Sequence, residues 1–396
     1  MTRRVFITVA EVSGDKHAAQ LIRSLKQLDP SITIEGLGGP EMAAAGATIH
    51  RDTVTKAAMG WRGIFRASEV MNALKWTRRY FKTYQPHLHI GVDSPSMNFH
   101  FAKVAHELNI PVLQYVAPQL WAWATWRMKK LRRWVDQVAC ILPFEETYFR
   151  AHGVNATFVG HPLFDELPPN RFTNGAPTFP DRSPVIGLLA GSRRSEAEAN
   201  FAGMLDAAEQ IRREFPQAAF LVPTTPATNP VVERELAPRG INDVTVGMDQ
   251  FDKMVPRCDL CVTVSGTATL HVASFGVPMI VVYRINRLAW NAAGRWLVPT
   301  RTFALVNLLA ATNPTDQTRA RRADHLVPEF VPWYGSGDVV ARAALDLLRH
   351  PDRLAAQREK LRRLVQTLDH PGASDKTARL AIDMIDRKGE PCVRPT

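Results

Sequence analysis

Four apolar runs of this 396-residue chain end on small residues that are followed at once by groups able to do chemistry. In "VFITVAEVSGD" the run gives way to Ser13, Gly14 and Asp15. In "IGVDSPSMN" it ends on Asp93. In "GLLAGSRRSEAE" it ends before Ser192 and Arg193, and in "VTVSGTATLHVASFGVP" before Ser265, Gly266 and Thr267. A strand, a tight turn and a helix make one end of a βα unit, and ligands of open α/β sheets bind outside the carboxyl ends of the strands. Gly-Ser at a strand end lets the backbone approach a ligand. Helix N-terminal amides beside an arginine suit a phosphate. Two such turns in one domain suit a diphosphate such as that of UDP. Ser265 or Thr267 could cap the helix that follows. His271, one helical turn beyond Thr267, could accept from a ribose hydroxyl or be a satisfied structural histidine. Asp93 is a carboxylate that could take the proton of an attacking sugar hydroxyl. It could equally cap a turn before Pro95.

The elements that must position these groups are alternating short apolar runs and helical patterns. The expected strands are "RVFITVA", "ITIEGL", "LHIGV", "PVLQYV", "QVACIL" and "ATFVG", then "VIGLLAGSRRSE", "AAFLVP", "VTVG", "LCVTVSGTATL" and "PMIVVY". Segments such as "KHAAQLIRSLKQL" carry helical spacing between them. The alternation predicts parallel sheets with helices on both faces. Residues 167–184, rich in Pro, Asn and Gly, read as a linker. The expected organisation is therefore α/β with two doubly wound, Rossmann-like domains facing a cleft. Residues 1–166 form the first and residues 185–335 the second. C-terminal helices over 336–396 pack in part back on the first domain.

Composition narrows the function. Hydrophobic residues at 45% and charged residues at 22% describe a globular protein. A net charge of +11 points to anionic partners, but no helix-turn-helix, zinc-finger or RNA-binding signature is present. No Walker A or GxGxxG motif appears either. Cys258 and Cys261 form a CxxC with no second pair nearby, so buried strand positions are favoured over zinc or redox chemistry. No signal peptide opens the chain and no apolar run approaches the ~20 residues of a spanning helix, so a cytoplasmic protein is expected. Two stretches nevertheless mix large apolar and basic residues. Residues 57–84 carry Trp61, Arg62, Phe65 and Arg66, and "LWAWATWRMKKLRRW" repeats the combination. Such segments suit an anionic membrane surface, and also a charged helix face whose apolar side lies in a core.

Taken in order, "EVSGD", "GLGGPEM", "AAMG", "GVDSP", "QYVAPQLWAW", "ILPFEE", "FVGHPLFD", "AGSRRSE", "SGTATL", "VNLLA" and "LVPEF" make the chain resemble the lipid-A-disaccharide synthases. These are inverting transferases of GT-B fold. The resemblance implies transfer from UDP-2,3-diacylglucosamine to 2,3-diacylglucosamine 1-phosphate, forming a β-1,6 bond and UDP. It implies Asp93 as general base. It places Ser192, Arg193, Ser265, Gly266, Thr267, His271, Asn307 and Glu329 on the UDP side, and Ser13, Gly14 and Asp15 on the acceptor side. It implies no cofactor or metal, and a peripheral position on the inner membrane. The chain departs from the family pattern at Ala10, Ser96, Ala124, His271 and Val306. At 271 a carboxylate would normally hold ribose hydroxyls. A GT-B enzyme using another UDP-sugar, or a glycolipid-binding paralogue without turnover, are the alternative readings.

Overall fold

The computed structural model describes residues 3–55, 63–122, 124–168, 182–239, 243–291, 302–311 and 325–387, with only the backbone described at 63–67 and 289. The chain divides into two compact units: Met1–Glu166 with Asp369–Thr396, and Leu167–Leu368.

The first unit contains β1 (Arg4–Thr8), α1 (Val12–Leu28), β2 (Thr33–Gly38), α2 (Pro40–Ala44), β3 (Thr48–Asp52), α3 (Gly63–Tyr84), β4 (Leu88–Val92) and α4 (Pro95–Glu107). It continues with β5 (Val112–Tyr115), α5 (Met128–Trp134), β6 (Gln137–Cys140), α6 (Pro143–Ala151), β7 (Ala156–Phe158) and α7 (Leu163–Glu166). Its seven strands run in the order β3-β2-β1-β4-β5-β6-β7, every pair parallel. Strand β4 is buried at all five positions, because helices cover both faces. Val5 and Ile7 of β1 pack with Leu21, Ile22 and Leu25 of α1 in one cluster. Phe6, on the opposite face, packs with Phe81 of α3 and Phe101 of α4 in another. Fully burying one such side chain contributes roughly 1.5–3 kcal/mol.

The second unit contains β8 (Val185–Leu189), α8 (Arg194–Glu214), β9 (Ala219–Thr224), α9 (Asn229–Leu236), β10 (Val244–Met248), α10 (Phe251–Met254), β11 (Leu260–Val264) and α11 (Thr267–Ser274). It continues with β12 (Met279–Arg284), α12 (Arg287–Ala289), α13 (Leu305–Ala310), β13 (Glu329–Trp333), α14 (Gly337–Arg349) and α15 (Pro351–Leu368). The strand order is β10-β9-β8-β11-β12-β13, again parallel. Cys258 and Cys261 are buried free thiols around Gly187, and burial drives the Cys261 thiol far up.

The last helix, α16 (Ala373–Asp386), belongs to the first unit and packs along α1. Ala378, Ala381 and Ile385 join the cluster that holds Val5 and Ile22. Asp165 accepts from the amides of Gly372, Ala373 and Ser374 at 2.6, 3.1 and 2.9 Å, which caps α16 from the end of α7. Ser24 on α1 donates to Asp375 at 2.6 Å. No described helix is long and apolar enough to cross a membrane.

Candidate functional site

In each sheet the strand order reverses beside the strand that comes first in sequence. In the first unit this happens between β1 and β4, and in the second between β8 and β11. Such a switch point opens a crevice at the carboxyl ends of the two strands. All four turns singled out from the sequence stand there, two on each unit.

On the first unit, "EVSGD" and "VDSP" meet directly. A Cβ built on Gly14 would lie 3.0 Å from Val9 Cγ1 and 3.5 Å from both Asp93 Cβ and Val92 O. Glycine lets the first turn of α1 close onto the Asp93 turn. Asp93 and Ser94 both adopt left-handed backbone, with φ of 52° and 41°. Two successive non-glycine residues in that region cost on the order of 1–3 kcal/mol each and persist only where surroundings enforce them. Asn98 supplies part of that enforcement, donating Nδ2–H to the carbonyls of Val92 at 3.0 Å and Asp93 at 2.7 Å. Gln114 Nε2 reaches Asp93 O at 3.3 Å from β5. The Asp93 side chain itself is half-buried.

Ser13 is exposed on the first turn of α1, but Asp15 is buried. Its carboxylate accepts from the amides of Gly39, Glu41 and Met42 at 3.0, 3.0 and 3.3 Å. Burial raises its pKa, against the pull of these three amides. The geometry makes Asp15 the cap of α2. A second union of motifs is Trp121 with Glu145. The indole Nε1–H donates to Glu145 Oε1 at 3.1 Å, and the other carboxylate oxygen accepts from Ile141 and Leu142 amides at 3.2 and 3.0 Å. Burial pushes the Glu145 carboxyl up to about 7. The folded state then holds this proton more tightly than the unfolded chain, so stability is fullest at low pH. It falls as pH rises from about 4.5 through about 7, by up to ~3 kcal/mol. Glu145→Gln is expected to flatten the dependence of Tm on pH across that window. Parallel slopes for the two proteins would show that Glu145 does not titrate there.

On the second unit, Gly191 has φ of 102°, and the turn presents the start of α8. The amides of Ser192 and Arg193 both donate to Glu196 Oε2, at 3.2 and 3.3 Å. The start of α8 is thus capped by its own Glu196 carboxylate. The Arg193 side chain is 60% exposed and reaches Glu196 at 3.2 Å. The start of α11 is different. Gly266 has φ of 143°, nothing lies within 4 Å of where its Cβ would be, and no side chain caps from that position. Neither expected cap serves. Ser265 donates its hydroxyl to Phe303 O at 2.9 Å, and Thr267 is the first helical residue, exposed.

His271 lies with its ring centroid 4.4 Å from that of Phe251 and 5.5 Å from that of Phe275, and its Nε2 is 2.8 Å from Asp252 Oδ1. The ring is held between two phenylalanine rings and beside the Asp252 carboxylate. Asn307 and Glu329 are buried and bonded to one another at 2.9 Å. Glu329 also accepts from the amides of Phe303 and Ala304 at 2.7 and 3.2 Å, capping α13. Asn307 holds Val327 through both its carbonyl and its amide. These bonds make the two side chains a brace between α13 and β13.

Trp61 and Arg62 lie outside the described residues, as do the side chains of Phe65 and Arg66 on α3. In the second basic stretch, Trp121 is buried, and Trp126 is 59% exposed. Lys103 and Lys130 stand 5.8 and 5.9 Å from the ring centroid of Trp134. Among the departures, Ala10 and Val306 are buried, Ser96 is exposed, and Ala124 is buried with φ of 55°. No group of three or more His, Cys, Asp or Glu among the described residues is placed to hold a metal.

The family model of lipid-A-disaccharide synthetase matches residues 5–324. The chain belongs to the lipid-A-disaccharide synthase family. The synthase of Geobacter metallireducens is 32% identical over 391 residues, 98% of each chain. That of Nitrosococcus oceani is 34% identical over 389 residues, 96% of each. Among solved structures, the UDP-GlcNAc 2-epimerase of Neisseria meningitidis bound to UDP-GlcNAc aligns with TM-score 0.62 at 14% identity, covering 96% of this chain and 99% of that one. MurG of Acinetobacter baumannii aligns with TM-score 0.51 at 15% identity, covering the same shares. At such identities these two likenesses show the fold, two Rossmann-like domains of the GT-B kind. For a member of the lipid-A-disaccharide synthase family, reading residues one motif at a time missed the groups behind Asp93. Asn98, Thr8 and His89 are each unremarkable in sequence and come together only in the sheet.

Proposed function

We propose that this protein is an inverting glycosyltransferase. It joins 2,3-diacylglucosamine from its UDP donor to 2,3-diacylglucosamine 1-phosphate, through a β-1,6 bond, and releases UDP. The observation that carries the reading is the closure of Gly14 onto the strained Asp93 turn at the first switch point, in a chain of this family. Inversion needs one displacement. The acceptor's 6-hydroxyl oxygen attacks the anomeric carbon as the bond to the UDP oxygen breaks. Asp93 takes the hydroxyl proton. Arg193 and the amides at the uncapped start of α11 offset the charge that develops on the departing diphosphate.

The test is UDP release by the purified protein given UDP-2,3-diacylglucosamine, with and without 2,3-diacylglucosamine 1-phosphate. Acceptor-dependent release with a disaccharide product is expected. Release only from a simpler UDP-sugar would replace this reading by another GT-B activity, and binding without release by a glycolipid-binding role.

Arg193→Ala is expected to weaken UDP binding about tenfold, the loss of one charge-assisted contact, with Arg193→Lys recovering only part of it. Its pairing with Glu196 is too exposed to add much stability, so the fold is expected to survive. Unchanged UDP affinity in titration calorimetry would remove Arg193 from the donor site. The acylated substrates also call for a membrane surface, and the basic, tryptophan-bearing segments of the first unit fit one. Replacing Trp61 and Phe65 together with Ser is expected to reduce partition onto anionic vesicles in sedimentation. Equal partition would leave these segments with a core role only.

A further inference from the structure

Behind Asp93 lies a chain of hydrogen bonds with a single consistent direction. Asn98 donates Nδ2–H to the carbonyls of Val92 and Asp93, so its Oδ1 faces the other way as an acceptor. The Thr8 hydroxyl, from β1, donates to that Oδ1 at 2.8 Å. Thr8 Oγ1 also lies 3.0 Å from His89 Nε2, on β4. Since the hydroxyl proton is already committed to Asn98, His89 must donate from Nε2. Its Nδ1 is buried without a partner, which fits an acceptor nitrogen carrying no proton. Burial alone holds the ring neutral, with a pKa lowered to about 3.

Thr8, His89 and Asn98 have no exposed surface. Three buried polar side chains in a sheet core are costly unless each bond is made, and networks of this kind specify one geometry. Here the geometry they specify is that of the two strained residues at the mouth of the switch point. The amide of Asn98 bridges the carbonyls on either side of the turn into left-handed backbone, and Thr8 and His89 prevent that amide from flipping.

We infer that Asn98, locked by Thr8 and His89, is the positioning residue for Asp93: it touches no substrate, and it sets where the Asp93 carboxylate stands. The inference rests on the reading of Asp93 as the base. A misplacement of about 1 Å can cost on the order of a hundredfold in rate, so the assembly acts on turnover rather than on donor binding.

The experiment compares Thr8→Val, Thr8→Ser, Asn98→Asp and Asp93→Asn in full-length protein, with kcat, donor KM, the pH profile of kcat and near-UV circular dichroism read on each. Thr8→Val is expected to lower kcat about tenfold at unchanged donor KM, and Thr8→Ser, which keeps the hydroxyl, to restore it. Asn98→Asp is expected to lower kcat by about ten- to a hundredfold. It is also expected to move the acidic limb of the profile to higher pH, because a second carboxylate then stands close to the first. Should Asn98→Asp not fold, the Thr8 pair decides alone. Folded variants with the kcat and acidic limb of the unsubstituted protein would overturn the inference and make the network a core feature only. The comparator separates two failures. Asp93→Asn without turnover beside silent Thr8 and Asn98 variants overturns this inference alone. Full turnover by Asp93→Asn overturns the base reading itself, and the inference with it.

Discussion

Asp93→Asn is expected to leave the fold and UDP binding in place while turnover falls by on the order of 10²–10⁴-fold, the usual contribution of a positioned general base. The substitution is nearly isosteric. Asn98 and Gln114 bond to the backbone carbonyl of residue 93, so both keep that partner in the variant. Asparagine also tolerates left-handed backbone well, which makes it gentler here than alanine. What disappears is the ability to accept a proton. Rapid-quench turnover and UDP titration of the same preparation provide the check. Loss of both together would point to a misfolded turn, and loss of neither would transfer the base role elsewhere.

Asp15→Ala is expected to act on stability instead. Three amides, those of Gly39, Glu41 and Met42, lose their shared acceptor in a place with little water to replace it. Hydrogen bonds to a charged group contribute ~1.5–3 kcal/mol each and do not add fully, so a loss of about 3 kcal/mol is expected. That corresponds to a Tm lower by roughly 6–12 °C for a unit of this size. UDP affinity, which the proposed function assigns to the other unit, is expected to stay put. An unchanged Tm with loss of acceptor binding would return Asp15 to the substrate side.

The Asp15 case shows where reading a sequence stops. That Ser13, Gly14 and Asp15 make a turn at a strand end is local information, carried by residue type. That the carboxylate serves α2 depends on Gly39, which arrives 24 residues later. The same holds for Asn307 and Glu329, whose partners are each other and the backbone around them. His271 was legible as a polar group on the first turns of α11, but Asp252 and the two phenylalanine rings beside it were not. The core strands were legible because burial on both faces makes them continuous apolar runs. The two missed strands are sheet edges. β3 is mostly exposed and reads "TIHRD", with no apolar run, and β13 carries Pro332, which an interior strand would exclude.

The return of α16 to the first unit sets the order in which this molecule can be completed during synthesis. The sheet of the first unit emerges from the ribosome first, yet Val5 and Ile22 belong to a cluster that Ala378, Ala381 and Ile385 complete. A chain usually closes its N-terminal domain before the next one has been made. Here that face of α1 stays uncovered until the second unit has been translated, and the earliest-made unit is the last to be sealed.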